Sequence, residues 1–99
     1  MEASGVSRLN AVIHERARLG IMSVLAARSA LTFAELKALL DLTDGNLSVH
    51  LRILEEAGYV SIEKKFIGRK PQTTVKVSKK GRLAFEHYVE VLEEIVKRK

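Results

Sequence analysis

The 99-residue chain contains no cysteine, which excludes disulfides, thiolate metal sites and thiol nucleophiles. Long hydrophobic runs are also missing. Stretches such as "LGIMSVLAA" (19–27) are far too short to span a bilayer. The opening "MEASGVSRLN" holds no apolar core of signal-peptide length. There is no phosphate-binding Walker loop, no dinucleotide-binding glycine fingerprint and no His-rich zinc spacing. Internal repeats, low-complexity tracts and linkers are likewise absent. The expectation is one domain over residues 1–99, cytoplasmic, with no cofactor, no bound metal and no membrane partner.

Hydrophobic residues make up 46% and charged residues 29%, the balance of a soluble globular protein rather than a disordered one. A chain this short buries a modest core, and pairing with a second copy would help to stabilise it.

Net charge is +5, and its location matters more than its total. Residues 1–60 carry a net −1 and residues 83–99 another −1. Residues 61–82 hold Lys64, Lys65, Arg69, Lys70, Lys76, Lys79, Lys80 and Arg82 against the single acid Glu63, a net of +7. A block this concentrated suggests a polyanion partner, nucleic acid ahead of anionic membrane, although charge runs also serve simply as solvated surface.

Hydrophobic periodicity predicts a helix over 9–27, with Ile13, Ala17, Ile21, Val24 and Leu25 on one side and Glu15, Arg16 and Arg18 on the other. "RSAL" then breaks the pattern. Thr32 and Glu35 have the spacing of a reciprocal capping box, opening a second helix that ends near Leu40. After a three-residue connection, Thr43 or Asp44 caps a third helix, and Gly58 ends it in a position that favours left-handed backbone. Two helices joined this closely fit a helix-turn-helix. Val60, Ile62 and Phe66 then alternate with polar residues as in a half-buried strand, with Lys64 sharing their parity. Gly68 and Pro71 form a turn, and Thr73, Val75 and Val77 line one face of a second strand. The result is a β-hairpin with Arg69 and Lys70 at its tip. Ser78 caps a last helix over about 79–97. Phe85, Val89, Leu92 and Val96 form one apolar stripe on it, and Ala84, Tyr88, Val91 and Ile95 an adjoining one. That face is wider than a small domain needs, which suggests a subunit interface, with packing on the first helix as the alternative.

On a helical wheel, Leu47, Leu51 and Leu54 form the buried edge of the third helix. Gly45, Ser48, Val49 and Arg52 fall opposite, flanked by Asn46. This outer face offers close approach, a hydroxyl, an amide, a branched methyl pair and a guanidinium, groups suited to base edges and phosphates. The free amides at the helix start, beside Thr43, favour phosphate. Ser48 and His50 point about 200° apart on a helix and cannot act as a catalytic pair. His87 and Glu90 lack a second ligand pair to make a metal site. No enzyme is expected.

The helix-turn-helix followed by a basic hairpin resembles the winged-helix transcriptional regulators of the MarR and ArsR types and small single-domain regulators built like them. The likeness lies in "RLGIMSVL", "TFAELKALL", "LSVHLRILEEAGYV" and "FIGRKPQTTVKVSKKGR" and spans roughly residues 9–98. It implies a mainly α fold with a β-hairpin wing (α+β) and a long C-terminal dimerisation helix. The third helix would enter the major groove of double-stranded DNA, and the wing would reach the minor groove or backbone. The residues implicated are Thr43, Gly45, Asn46, Ser48, Val49 and Arg52 in the helix, and Lys65, Arg69, Lys70 and Thr73 in the wing. The resemblance also implies a homodimer held by the first and last helices, through Val12, Ile13, Phe85, Tyr88, Val89, Leu92, Ile95 and Val96. Metal sensors of the ArsR type carry cysteines in the second helix, and this chain departs from them there. No effector ligand is identified. The expected function is a dimeric, sequence-specific DNA-binding regulator. The alternative is a non-specific architectural DNA binder or a winged-helix protein-interaction module.

Overall fold

The computed structural model describes residues 5–97. A short 3₁₀ turn (Val6–Arg8) is followed by α1 (Arg16–Arg28), β1 (Ala30–Thr32), α2 (Phe33–Leu40), α3 (Asp44–Glu56), β2 (Val60–Ile67), β3 (Lys70–Val77) and α4 (Lys79–Lys97). The strands form an antiparallel sheet in the order β1-β3-β2. This is a winged helix.

Two expectations are corrected. The first helix starts at Arg16, not near residue 9, because local polar groups claim the backbone before it. Asn10 Oδ1 accepts the Val12 and Ile13 amides, and extended Glu15 caps α1 by accepting the Arg18 amide. The "RSAL" break contains a strand. Leu31 pairs with Val75 in a three-residue β1, too short to display a period. Ser29 ends α1 with φ 70°, and Arg82 donates to the Ala26 carbonyl and Ser29 hydroxyl there, a cation on a helix C-terminus.

Other punctuation lies where expected. Thr32 and Glu35 form both bonds of the capping box. Of the two candidate caps for α3, Thr43 serves, accepting the Asn46 amide at 3.1 Å, while Asp44 pairs with Lys37 at 2.8 Å. Gly58 has φ 82°. Gly68 has φ 66° at the first position of a two-residue hairpin turn, which Arg69 completes.

One core holds these pieces together. Ile13, Ile21, Met22, Leu25, Leu36, Leu47, Leu51, Leu54, Val75 and Tyr88 are all buried in it. The broad apolar face of α4 divides in two. Tyr88 and Val91 are buried, with Ala84 and Ile95 beside them half-buried. On the adjoining stripe Phe85 and Val89 are half-buried against the same core, while Leu92 is 36% exposed and Val96 64% exposed.

The base of the wing is tied to the start of α4. The Ser78 amide donates to the Tyr59 carbonyl, and its hydroxyl donates to the Gly58 carbonyl and accepts the Gly81 amide. Gly81 crosses Tyr59 so closely that a Cβ would lie 2.1 Å from the Tyr59 carbonyl oxygen. Because that obstacle is backbone, Gly81→Ala should cost about 1–3 kcal/mol of stability, measured by urea unfolding. An unchanged midpoint would show that the junction is loose.

Candidate nucleic-acid interface

Helix α3 buries Leu47, Leu51 and Leu54 in the shared core, packed on α1 and β2, which turns the opposite side outward. Gly45, Asn46, Ser48, Val49 and Arg52 are all exposed on it. A Cβ at Gly45 would meet no atom within 4 Å, so packing within the chain does not explain the glycine. Thr43 is exposed but spends its hydroxyl on the helix cap.

The hairpin stands beside this face. Ile62 pairs with Val75 over the core, and the next rung outward is Lys64 with Thr73. Lys64 and Thr73 share a cleft with Phe33, Ser48, Arg52 and Glu55. Helix and wing therefore present one continuous surface with Arg52 and Lys64 in its floor. Lys64 was not among the residues expected to contact DNA, although its parity with Val60 and Ile62 was a signal that it faces the helix. Lys65 points to the other face of the hairpin, where it lies 3.6 Å from Glu63. Arg69 and Lys70 are exposed at the tip. Phe66, expected with the apolar set, is 73% exposed, because β2 has run beyond the helices that cover its start.

The pose of α3 is also held by a polar cluster. Arg18 donates from its Nε to the Val12 carbonyl and from a terminal nitrogen, at 3.0 Å, to His50 Nδ1. A guanidinium has no acceptor, so the imidazole nitrogen must accept. Glu15 lies 3.7 Å from the same nitrogen. His50 is thus a tie between α3 and the start of α1. Partial burial pushes the Glu15 carboxyl up, but the bond from the Arg18 amide, the Arg18 charge and the Ala17 amide outweigh it and hold it below its ordinary value.

The residues expected at a subunit interface differ in burial. Ile13 is fully buried and Tyr88 is 2% exposed, enclosed by the chain's own core, so neither offers surface to a partner. The Tyr88 hydroxyl bonds His14 Nδ1 at 2.8 Å. Val12 and Ile95 are half-buried, and Gly5 lies against Ile95. Phe85 and Val89 are half-buried against the core, and Leu92 and Val96 beside them are exposed. His87 and Glu90 are exposed and 3.8 Å apart. Among the described residues, no helix is long and apolar enough to cross a membrane.

Known proteins with the same features fix the class. Residues 17–96 match the model of the winged helix DNA-binding domain, and the chain belongs to that family. A relative from Methanocaldococcus jannaschii, itself uncharacterized, is 42% identical over 72 residues, 73% of this chain and 78% of its own. The structure of a transcriptional regulator homologue from Pyrococcus horikoshii superimposes with a TM-score of 0.81 at 33% identity, over 86% of this chain and 84% of that one. AbfR of Staphylococcus epidermidis, in an overoxidized form bound to DNA, gives 0.72 at 20% identity over 81% of this chain and 58% of AbfR. Regulators of the MarR and ArsR families share the fold at still lower identity. The protein is a winged-helix DNA-binding regulator, and its fold and relatives point away from an enzyme.

Glu15 has a sign that can be checked. Its folded value is depressed, so its contribution is complete above its ordinary value of 4.5 and is lost as pH falls through the lower folded value. Between neutral pH and pH about 3, the urea midpoint of Glu15→Gln should therefore fall less than that of the wild type. Equal losses would mean that the Glu15 carboxylate does not stabilise the start of α1.

Proposed function

We propose that the protein is a dimeric, sequence-specific DNA-binding regulator. Helix α3 lies in the major groove, the hairpin reaches the adjoining minor groove and backbone, and the apolar stripe of α4 joins two copies. The observation that carries this reading is the single surface formed by the outer face of α3 and the basic hairpin, with Arg52 and Lys64 lining one cleft.

The chemistry divides between the two parts. Arg52 can bond guanine bidentately, Asn46 can bond adenine, and Val49 can touch a thymine methyl. Gly45 leaves room for the helix N-terminus to approach the duplex, and the free amides just after Thr43, together with the Ser48 hydroxyl, suit a phosphate. Lys64, Arg69, Lys70 and Thr73 supply contacts to phosphate and sugar, which position the protein without reading sequence. Lys65, on the outer face of the hairpin, adds to the field more than to contact. A purely non-specific binder would need only Lys and Arg on α3, and the mixed face found there argues for base reading.

Dimerisation rests on Phe85, Val89, Leu92 and Val96, with Val12 and Ile95 at the margin. Leu92 and Val96, exposed on the longest helix and continued at helical spacing by the half-buried Phe85 and Val89, suit a second copy of the same helix. In such a dimer, the two recognition helices would enter successive major grooves about 34 Å apart.

Replacing Arg52 with alanine should cost about 1–3 kcal/mol of binding and relax preference at one base position in each half-site, read by competition with single-base variants. An unaltered preference would remove Arg52 from base reading. Leu92→Asp should convert a sedimenting dimer to a folded monomer. A wild-type chain that sediments as a monomer would reject the dimer.

A further inference from the structure

The wing carries an apolar pair that neither base reading nor phosphate contact uses. Successive rungs of the hairpin on the α3 side are Ile62 with Val75, Lys64 with Thr73, and Phe66 with Pro71. The first rung covers the core and the second lines the cleft with Ser48 and Arg52. Strand alternation puts the third on the same face, one step further toward the tip. Phe66 is 73% exposed and Pro71 is exposed. Folding therefore gains little from this ring, although an aromatic side chain offers one of the largest apolar areas available for contact.

We propose that Phe66, backed by Pro71, packs against the deoxyribose walls of the minor groove flanking the recognition site. This rests on the DNA-binding reading above. The setting selects the partner. Phe66 lies among Lys64, Lys65, Arg69 and Lys70, all exposed. A two-fold contact between two such hairpins would set these cations against one another, whereas a polyanion neutralises them. A minor groove has phosphates along its rims and sugar C–H groups on its walls, so lysines and a ring side by side match both. Phe66 is not placed to unstack base pairs. The leading point of the wing is Gly68–Arg69, and the ring lies behind it on the side of the hairpin. Apolar wedges that kink DNA must enter between base steps first.

Such a contact adds affinity without releasing counterions, which gives it a signature distinct from that of the basic residues. The test uses the full chain and a duplex about three helical turns long, enriched from a random pool by wild-type protein. Phe66→Ala should weaken binding about tenfold while leaving the slope of log affinity against log salt unchanged, and Phe66→Leu should recover most of the loss. Arg69→Ala on the same duplex should flatten the slope by about one. Thermal melting of Phe66→Ala should match the wild type. Equal affinity of Phe66→Ala and wild type would overturn the proposal while leaving the DNA-binding reading intact. So would a loss of DNA bending in Phe66→Ala, which would make the ring a wedge. A changed sedimentation state would assign Phe66 to contact with a protein, such as the acidic side of α4 in another copy, and would also overturn it. Failure of the wild type to enrich any duplex would remove both readings together.

Discussion

Leu47, Leu51 and Leu54 enter the same core as Ile21, Met22, Leu25 and Leu36, and the outward face of α3 follows from that burial. A helix anchored on one stripe has its opposite stripe set to within a few degrees of rotation, because close-packed interiors tolerate little adjustment. The three leucines therefore place Asn46, Ser48, Val49 and Arg52 on the outward side of the helix. The tie from His50 through Arg18 to Glu15 and Val12 acts on the same helix from its flank, limiting rotation where the leucine stripe ends.

The hairpin and α4 depend on each other through the crossing of Tyr59 and Gly81. Ser78 closes that crossing with bonds to the Gly58 and Tyr59 carbonyls and to the Gly81 amide. The basic segment thus leaves and returns to a fixed point at the end of the recognition helix. The helix proposed to join two copies starts from that same point. Geometry at a subunit contact on α4 would reach the wing through a short, backbone-to-backbone connection rather than through a flexible linker.

Much of this was legible in the residues. Thr32 with Glu35, Thr43, Gly58, Gly68 and Ser78 marked the ends of elements because each supplies a specific hydrogen bond or backbone conformation that leaves a local trace. What was missed depended on distant partners or on turns that resemble helix in composition. Ile13 fits a helical stripe, yet Asn10 and Glu15 hold it in a turn whose side chain plugs the core. β1 exists only because β3 accepts it. The apolar face of α4 showed its width in the sequence but not its division, since packing alone decides that Tyr88 faces inward and Leu92 outward. Lys64 and Phe66 share the parity of core residues; the lysine marks in the sequence where the strand leaves the core, but the exposure of Phe66 beyond it depends on how far the hairpin stands above the helices. Which face of the hairpin turns toward α3 is a tertiary fact: Lys64 lines the cleft with Ser48 and Arg52, and Lys65, implicated through the resemblance, lies on the other face.

If one chain presents a base-reading helix and a positioning wing, and two chains do so together, the bound sequence carries the geometry of the dimer. Selection of bound sequences from a random DNA pool should then yield an inverted repeat whose half-sites are centred about one helical turn apart, with sequence preference concentrated where α3 meets the major groove. A pool that remains random after repeated rounds, although the protein retains DNA at low salt, would contradict that reading.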